Sequence, residues 1–326
     1  MSRARAVTHP NIALSKYWGK RAGEGNMPAV PSLSVALSGM HTETVCEVLP
    51  SLAEDELVLD GGPMAANGRE RCAALLDRVR ARVDSPARAR VVSRNDFPTG
   101  AGLASSASGF AALALAAVRA YGLDASIAEV SDLARRSSAS AARSLFGGFA
   151  ELAPPPDAGA TFLAATPLAG PDAVPLRVLV CVVTESAKDV PSTAGMNRTR
   201  DHSPFYAAWL DEAPRVHAAL RAALLAGDLP GVGELAERSA LAMHASAIAA
   251  GVIYFGAPTL AILSAVRGLR ARGIGAWATI DAGPHVKVLV DEADRARVAS
   301  ALHGIPGVLR VIEARPAAAP TVEVTP

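Results

Sequence analysis

The pattern of hydrophobic and polar positions predicts strands and helices that alternate irregularly along the chain. Short apolar or alternating stretches predict strands at 42–49, 87–93, 148–152, 178–184, 276–280 and 286–290. Longer stretches with helical periodicity predict helices at 69–82, 104–121, 127–137, 211–226, 232–247, 258–272 and 292–302. This order favours an α+β fold over a regular βαβ winding.

Proline and glycine mark the boundary between two predicted lobes. The segment 153–175 contains APPPDAGATF and PLAGPDAVP, so we expect a loop there. We therefore predict a first lobe at 1–175 and a second at 176–326, with the active site between them. The tail ARPAAAPTVEVTP, 314–326, is expected to fray, as chain ends often do.

Composition narrows the classes of partner. The 326 residues carry 32 basic and 31 acidic side chains, a net charge of +1, so no broad field favours nucleic acid or an anionic membrane. Three cysteines without a C-x-x-C pair predict neither a disulfide framework nor a zinc site. The apolar run 110–118 is too short to span a bilayer, and the amino end lacks the pattern of a secretory signal. We expect a cytoplasmic protein.

The stretch PTGAGLASSASGF, 98–110, predicts a phosphate-binding loop that leads into a buried helix. Glycines let the backbone approach an anion closely, and the first backbone N–H groups of a helix lack partners within it. The helix dipole and the serine hydroxyls add to this preference for phosphate. The alternative is an N-capped core helix after a flexible loop. The stretch matches neither the G-x-x-x-x-G-K-[ST] nor the G-x-G-x-x-G pattern.

Six segments in one order resemble the diphosphomevalonate decarboxylase family, which belongs to the superfamily of galactokinase, homoserine kinase, mevalonate kinase and phosphomevalonate kinase. They are HPNIALSKYWGKR (9–21), NDFPTGAGLASSASGFAAL (95–113), RRSSASAARSLFGGF (135–149), VPSTAGM (190–196), AMHA (242–245) and IDAGP (280–284). The resemblance implies a first lobe similar to the second domain of ribosomal protein S5 and a ferredoxin-like second lobe.

The resemblance also implies a reaction and its cofactors. ATP and Mg²⁺ would phosphorylate the tertiary 3-hydroxyl of mevalonate 5-diphosphate, and loss of phosphate and CO₂ would then give isopentenyl diphosphate. A 3-hydroxy acid has no carbonyl to receive the electrons of the departing carboxylate, so its hydroxyl must become a better leaving group. We also expect a homodimer.

Asp281 and Arg143 are the catalytic candidates. Asp281 follows a mostly apolar strand and precedes Ala-Gly-Pro, where a purely turn-stabilising role is the alternative. By resemblance, Asp281 orients or deprotonates the 3-hydroxyl and later faces positive charge at C3. Arg143 is implied to bind the substrate C1 carboxylate, in the bidentate geometry of a guanidinium. Its alternative is a side chain that extends to solvent.

The resemblance implies further contacts to substrate and nucleotide. Tyr17 and Lys20 are expected at the 5-diphosphate, Ser138 and Ser140 beside the substrate unless they cap a helix, and Ser192 near phosphates, whereas Trp18 is expected to pack. Ser106 is expected to contact the γ-phosphate or Mg²⁺, and Lys188 is either a phosphate ligand or a surface charge. The expected ATP-binding set is Pro98, Gly100, Gly102, Leu103, Ala104, Ser105, Ser106, Ser108 and Lys188.

Several positions depart from the family's pattern. Ala139 and Ala142 stand where many relatives have glycine and cysteine, His285 replaces the usual asparagine after Pro284, and PAVPSLSVAL replaces P-T-N-S-S-L-S. Decarboxylation of mevalonate 5-phosphate and a mevalonate 3-kinase therefore remain as alternatives. A catalytically silent binding protein is a separate alternative, which we would expect to lack Asp281 or the glycine loop, and both are present. Scattered histidines argue against a transition-metal site, and His244 is expected to pack in a helix with its ring nitrogens satisfied.

Overall fold

The structure is a computed structural model that describes residues 2–21, 25–97, 105–157, 159–186 and 189–325. Within these ranges the strands form three sheets, of six, four and four strands. The strands are β1 Arg3–Thr8, β2 Asn11–Ser15, β3 Ser32–Ala36, β4 Thr42–Leu49, β5 Glu56–Leu59, β6 Gly62–Pro63, β7 Arg88–Asn95, β8 Phe149–Leu152, β9 Thr166–Ala169, β10 Leu176–Val182, β11 Ala276–Ile280, β12 Val286–Asp291, β13 Arg310–Ala314 and β14 Thr321–Thr325. The mixed composition and two-lobed shape confirm the predicted α+β fold.

Eight α-helices and two 3₁₀ helices accompany these strands in the described ranges. The α-helices are α1 Ala66–Val83, α2 Ser105–Ala120, α3 Ile127–Ser137, α4 Ser192–His202, α5 Tyr206–Leu225, α6 Leu229–Ala249, α7 Ala257–Ala271 and α8 Arg295–His303. The 3₁₀ helices are Ala139–Leu145 and Glu292–Asp294. No helix in the described part of the chain is long and apolar enough to cross a membrane.

The first lobe is built on the six-stranded sheet, in the order β14-β1-β4-β7-β5-β6. Helices α1, α2 and α3 contribute to one hydrophobic core with this sheet. Helix α2 is buried on nearly every side, as its continuous apolar sequence predicts, and its small alanines let it pack closely against β1 and β4. These contacts fix the amino end of α2 relative to the sheet.

The second lobe is built on the antiparallel sheet β11-β12-β10-β13. The chain runs through it as β10, helices, β11, β12, α8 and β13, which is the ferredoxin-like order of strands and helices. Helices α7 and α8 pack on one face of the sheet. Helices α5 and α6 cover the other face and share their core with the third sheet, β2-β3-β8-β9. Strand β2 therefore lies against helices of the second lobe.

Sequence periodicity located most of the long elements. Strands β4 and β11 and helix α3 have the predicted bounds, and the other predicted elements agree to within a few residues. Helix α4 was not predicted because its sequence is polar and lacks an apolar stripe. The predicted loop at 153–175 contains the short strand β9, which pairs with β8.

The expectation of a frayed carboxyl-terminal tail is wrong. Strand β14 pairs with β1 at five consecutive positions, and so the last strand lies in the sheet of the first lobe. The alternation in TVEVT is typical of a strand, and its edge partner β1 supplies the hydrogen bonds that an isolated strand lacks. Thr321–Thr325 thus depart from the predicted assignment of 176–326 to the second lobe.

Candidate active site

A cavity of about 710 Å³ lies between the two lobes. Its walls come from the ends of β2 and β11, from the amino ends of α2 and α4, and from the 3₁₀ helix Ala139–Leu145. Nine residues expected to form the active site line it: Tyr17, Lys20, Ser105, Ser106, Ser138, Ser140, Arg143, Ser192 and Asp281. The fold therefore brings together segments from both lobes that are far apart in the sequence.

Three of the predicted ATP-binding residues, Ser105, Ser106 and Ser108, belong to the described residues, and Ser108 does not line this cavity. Pro98, Gly100, Gly102, Leu103, Ala104 and Lys188 lie outside the described residues. Ser108 is fully buried in the first lobe, where its hydroxyl accepts a hydrogen bond from Thr42 Oγ1 at 2.6 Å. The Ser108 carbonyl accepts a second hydrogen bond from Thr8 Oγ1 at 2.8 Å. These contacts anchor α2 to the sheet, so the expected ATP contact of Ser108 does not fit its position.

Asp281 lies between two buried lysines. Lys16 Nζ is 2.7 Å from Asp281 Oδ1, and Lys287 Nζ is 3.1 Å from Asp281 Oδ2. Burial alone would raise the pKa of the Asp281 carboxyl, but the attraction and hydrogen bonds of the two lysines outweigh it. The pKa of Asp281 therefore lies well below its usual range, and the carboxylate is ionised at neutral pH. Its side chain keeps 27% exposure, which faces the cavity.

Lys16 was not predicted as a site residue, because nothing in the stretch SKYWGK distinguishes it from Lys20. The structure buries it at the end of β2, where its amide N donates to Ser239 Oγ at 3.0 Å. Its Nζ also donates to the Ala13 carbonyl at 2.7 Å. Loss of hydration on burial, together with repulsion from Lys287 and Arg143, lowers the pKa of Lys16 despite the attraction of Asp281.

The turn after β11 explains the positions of Asp281 and Lys287. The Gly283 amide donates to the Asp281 carbonyl at 2.8 Å, and the chain returns as β12, where Lys287 pairs with Thr279. His285, the departure from the family's pattern, is fully buried and its Nδ1 accepts from the Val183 amide at 3.3 Å. Lys287 is the residue of this segment that contacts the Asp281 carboxylate.

Arg143 is buried at the cavity wall, which contradicts the alternative that it extends to solvent. Its guanidinium donates to Ser34 Oγ at 2.5 Å and to Ser32 Oγ at 2.7 Å, both on β3. Burial lowers the pKa of Arg143 to about 10, so the side chain is cationic at neutral pH. Among the described residues no carboxylate forms an ion pair with it. A buried cation held by neutral hydroxyls is prepared to bind an anion from the cavity.

Lys20 and Tyr17 form a second polar group along the cavity. Lys20 Nζ donates to Asn26 Oδ1 at 2.7 Å and to Thr193 Oγ1 at 3.0 Å, and Tyr17 Oη donates to the Asn26 carbonyl at 3.2 Å. Burial lowers the pKa of Lys20 and raises the pKa of Tyr17, so Tyr17 is a neutral hydrogen-bond donor. Trp18 is almost completely buried, as expected, and packs edge-on against Tyr254.

Ser138 and Ser140 lie beside Arg143, with their hydroxyls 3.2 Å apart. Ser138 occupies the N-cap position of the 3₁₀ helix but makes no side-chain capping bond there. Asn11, which was not predicted, donates to the Ser140 carbonyl at 2.9 Å and to Ser144 Oγ at 2.7 Å. Its buried Oδ1 has no hydrogen-bond partner among the described residues, although Asn11 lines the cavity.

Charge favours an anionic ligand. Five cationic side chains line the cavity, Lys16, Lys20, Arg71, Arg136 and Arg143, and among the described residues Asp281 is its one carboxylate. Ser105 and Ser106, at the amino end of α2, add hydroxyls where the helix dipole is positive. Arg71 was missed because it lies on an amphipathic helix. Its guanidinium lies 4.3 Å from the centre of the Phe110 ring.

His244 supports the strand that carries Asp281. Its Nε2 lies 3.3 Å from the Ile280 carbonyl, and its ring packs against Phe255 at 4.5 Å. Burial lowers the pKa of His244 to about 4, so the ring is neutral and Nε2 donates. Nδ1 has no hydrogen-bond partner in the described part of the chain, so the expectation of two satisfied nitrogens is half right.

A buried serine, histidine and glutamate follow one another as in a hydrolytic triad, but they do not line the described part of the cavity. Ser15 Oγ lies 2.9 Å from His217 Nδ1, and His217 Nε2 lies 3.5 Å from Glu151 Oε2. Ser15 Oγ also accepts from the Leu33 amide at 2.8 Å. Ser15 is almost completely buried and does not line the described part of the cavity. These hydrogen-bonded side chains therefore join β2, β3, β8 and α5 as a structural contact.

Comparisons with known proteins show the family of this chain. Residues 8–161 match the model of the diphosphomevalonate decarboxylase-like N-terminal domain, and residues 178–316 match that of the mevalonate 5-diphosphate decarboxylase C-terminal domain. Diphosphomevalonate decarboxylase from Candida albicans is 36% identical over 91% of this chain and 87% of its own. Phosphomevalonate decarboxylase from Haloferax volcanii is 34% identical over 92% of each chain.

Solved structures agree over the whole chain. The crystal structure of mevalonate diphosphate decarboxylase from Staphylococcus aureus has a TM-score of 0.92 at 33% identity, and covers 100% of this chain and 99% of its own. MDDEF in complex with MVAPP, AMPPCP and magnesium also has a TM-score of 0.92, at 35% identity over 100% of both chains.

Proposed function

The chain belongs to the diphosphomevalonate decarboxylase family, and we propose that it converts mevalonate 5-diphosphate and ATP to isopentenyl diphosphate, ADP, phosphate and CO₂. The observation that carries this proposal is the ionised Asp281, held by Lys16 and Lys287 in the cavity that Arg143 and the amino end of α2 also line. These groups match a substrate with a carboxylate, a tertiary alcohol and phosphates.

ATP makes the decarboxylation possible. The 3-hydroxyl loses its proton to solvent as its oxygen accepts the γ-phosphoryl group, and the bond from that group to ADP breaks. This transfer converts a poor leaving group into phosphate. The C3–O bond then breaks with its electron pair on phosphate, and the C1–C2 bonding pair forms the new double bond as CO₂ departs. Positive charge develops at C3, where a fixed carboxylate lowers the barrier.

Asp281 suits the role of orienting and stabilising group better than that of proton acceptor. Each carboxylate oxygen already faces an ammonium group, and its lowered pKa makes it a weak base. A carboxylate that stays ionised without reorganisation can face C3 throughout the reaction. Lys16 and Lys287 act as its supports, because they fix both oxygens.

Arg143 would bind the C1 carboxylate with its charged guanidinium, and Ser138 and Ser140 would border the same part of the substrate. We assign Lys20 and Tyr17 to the 5-diphosphate, because an ammonium group and a hydroxyl donor both suit phosphate oxygens. Ser192, at the start of α4, lines the same cavity. Release of the C1 carboxylate as CO₂ removes the negative charge that Arg143 holds, whereas the phosphate contacts persist in the product.

The nucleotide phosphates would meet the amino end of α2 at Ser105 and Ser106. The glycine loop before it, with Pro98, Gly100, Gly102, Leu103 and Ala104, and Lys188 complete the proposed ATP site. Since the cavity offers one carboxylate among its described residues, Mg²⁺ would be held mainly by phosphate oxygens, with Ser106 as a protein contact. When bound, Mg²⁺ would neutralise charge on the transferring phosphoryl group.

A parallel assay tests the function and its alternatives. The protein is supplied with ATP, Mg²⁺ and mevalonate, its 5-phosphate or its 5-diphosphate, and ADP and CO₂ are followed separately. We expect CO₂ from the 5-diphosphate alone. CO₂ from the 5-phosphate would reassign the substrate, ADP without CO₂ would identify a 3-kinase, and no product from any substrate would identify a binding protein.

We further propose that the protein is cytoplasmic and forms a homodimer. Sedimentation velocity at micromolar concentration tests the second point, with a species of twice the chain mass of 33.4 kDa expected. A single species at the chain mass would contradict it.

A further inference from the structure

The carboxyl-terminal tail crosses from the second lobe to the first. It leaves β13 in the sheet of the second lobe and ends as β14 in the sheet of the first. Between them, residues 315–320 run past the end of β3 and the start of β8. Pro316 and Ala317 are buried there.

Backbone hydrogen bonds fix this segment to both neighbouring elements. The Ala317 amide donates to the Ala36 carbonyl at 2.8 Å, and the Ala317 carbonyl accepts from the Gly148 amide at 2.8 Å. The Ser38 amide donates to the Arg315 carbonyl at 2.8 Å. Ala317 thus joins the end of β3 to the start of β8 through its own amide and carbonyl.

Gly147 allows the tail to approach. A Cβ atom built on Gly147 would lie 2.4 Å from the Ala319 amide nitrogen and 2.5 Å from the Ala318 carbonyl carbon. Both neighbours are backbone atoms, which cannot rotate away as a flexible side chain would. Any larger residue at 147 must therefore displace either the tail or the segment that ends the 3₁₀ helix.

The tail contacts the end of β3 and the Gly147–Gly148 segment that links the 3₁₀ helix to β8, and Arg143 is held by β3 and that helix. Ser32 and Ser34 on β3 accept hydrogen bonds from its guanidinium. Its backbone belongs to the 3₁₀ helix Ala139–Leu145, where the Phe146 amide donates to the Arg143 carbonyl just before Gly147. The distance between β3 and this helix decides where the guanidinium points, because only two hydroxyls orient it within the described structure.

We propose that residues 316–320 act as a positioning strap for Arg143, the residue proposed to bind the substrate carboxylate. The strap touches no ligand. It holds the junction of β3 and β8 so that the guanidinium keeps the orientation that the carboxylate requires. An error of about 1 Å in such a group costs about 10²-fold in rate. This inference rests on the proposed function, because it takes the carboxylate as the ligand of Arg143.

Two truncated chains separate the effect of the strap from the effect of β14. One ends at Pro320 and lacks only β14 and the last residue, whereas the other ends at Arg315 and also lacks the strap. We expect the first to keep kcat/KM for mevalonate 5-diphosphate within about threefold of the full chain, and the second to lose about 10²-fold. Most of the second loss should appear in KM for the acid substrate, with KM for ATP little changed. Equal kcat/KM for the two chains would overturn the proposal.

Gly147→Ala gives a second test that keeps the whole chain, in case the shorter truncation does not fold. Gly170→Ala is its control, since a Cβ there would meet no atom within 4 Å. We expect Gly147→Ala to raise the dissociation constant for mevalonate 5-diphosphate about 10-fold or more, and Gly170→Ala to leave it unchanged. An unchanged dissociation constant in a folded Gly147→Ala protein would contradict the strap.

A double-mutant cycle separates positioning from general damage. If the strap acts through Arg143, Gly147→Ala combined with Arg143→Lys should bind substrate no more weakly than Arg143→Lys alone. Multiplicative losses would show that the strap acts elsewhere. If the wild-type chain is active and the losses of substrate binding multiply, the strap is disproved and the proposed function stands. If the wild-type chain is inactive, the proposed function itself is disproved.

Discussion

Lys16 Nζ lies 2.7 Å from Asp281 Oδ1, although the two residues are 265 positions apart in the sequence. This contact joins β2, which packs on the helices of the second lobe, to the end of β11. Together with Lys287 it fixes an ionised carboxylate at the wall of a cationic cavity. The charge state of Asp281 is therefore set by two lysines, Lys16 and Lys287, that lie far apart in the sequence.

Asp281→Asn should fold but turn over at least about 10²-fold more slowly, because it removes a fixed negative charge that can face C3. The measurement is CO₂ release from mevalonate 5-diphosphate, with circular dichroism as the check on folding. Asp211→Asn, on the exposed face of α5, is the matched control and should keep full activity. Turnover of Asp281→Asn within a few-fold of wild type would remove Asp281 from the mechanism.

Arg143→Lys should raise KM for the acid substrate and lower kcat/KM by about 10-fold or more, since an ammonium group cannot reproduce the planar fork of a guanidinium. Steady-state kinetics with ATP at saturation measures the change. The control is Arg215→Lys, an exposed arginine paired with Asp211. Equal kinetics for Arg143→Lys and wild type would exclude a bidentate contact.

Ser106→Ala and Ser108→Ala should separate ligand binding from folding. Ser106 lines the cavity, so its loss should lower kcat/KM for ATP by about 10-fold or more, the equivalent of one hydrogen bond to a charged group. Ser108 is buried against Thr42, so its loss should cost about 1–3 kcal/mol of unfolding free energy and leave KM for ATP unchanged. Urea titration and ATP kinetics are measured on both variants, and the reverse assignment of effects would contradict this division.

The stability contributed by the Asp281 carboxylate should persist in acid. Its pKa is lowered in the folded protein, so the contribution is fully present above the unfolded value of about 3.9 and is lost only as pH falls through the lower folded value. The difference in unfolding free energy between wild type and Asp281→Asn should stay level from pH 8 to about pH 5. A difference that already shrinks across that range would mean that the lysines do not hold the carboxylate ionised.

Ser15→Ala should lower the unfolding free energy by about 1–3 kcal/mol, because the Leu33 amide and His217 Nδ1 both lose a buried partner. The exposed Ser51→Ala is the control, and urea denaturation measures both. Because Ser15 precedes Lys16, kcat should fall as well. A loss of activity without a loss of stability would indicate that Ser15 has a chemical role.

Local sequence determined the elements whose pattern is self-contained. The apolar stretch of α2 and the buried strand β11 before Asp-Ala-Gly could be located because an uninterrupted apolar run indicates burial, and helix α3 could be located because its apolar positions recur with helical spacing. The motifs also placed Tyr17, Lys20, Arg143 and Asp281 in one site. The resemblance to a known family supplied the connection between motifs that periodicity does not provide.

The tertiary structure decided which of several residues of the same type performs each function. Lys16 and Lys20 read alike in the sequence, but burial and a partner 265 residues away make the first a support of Asp281. Ser106 and Ser108 are neighbours on one helix turn, yet one faces the cavity and the other the core. The tail became a strand because β1 offered an edge to it. Charge state, burial and strand pairing depend on contacts between residues that are distant in the sequence, and a local sequence pattern does not encode those contacts.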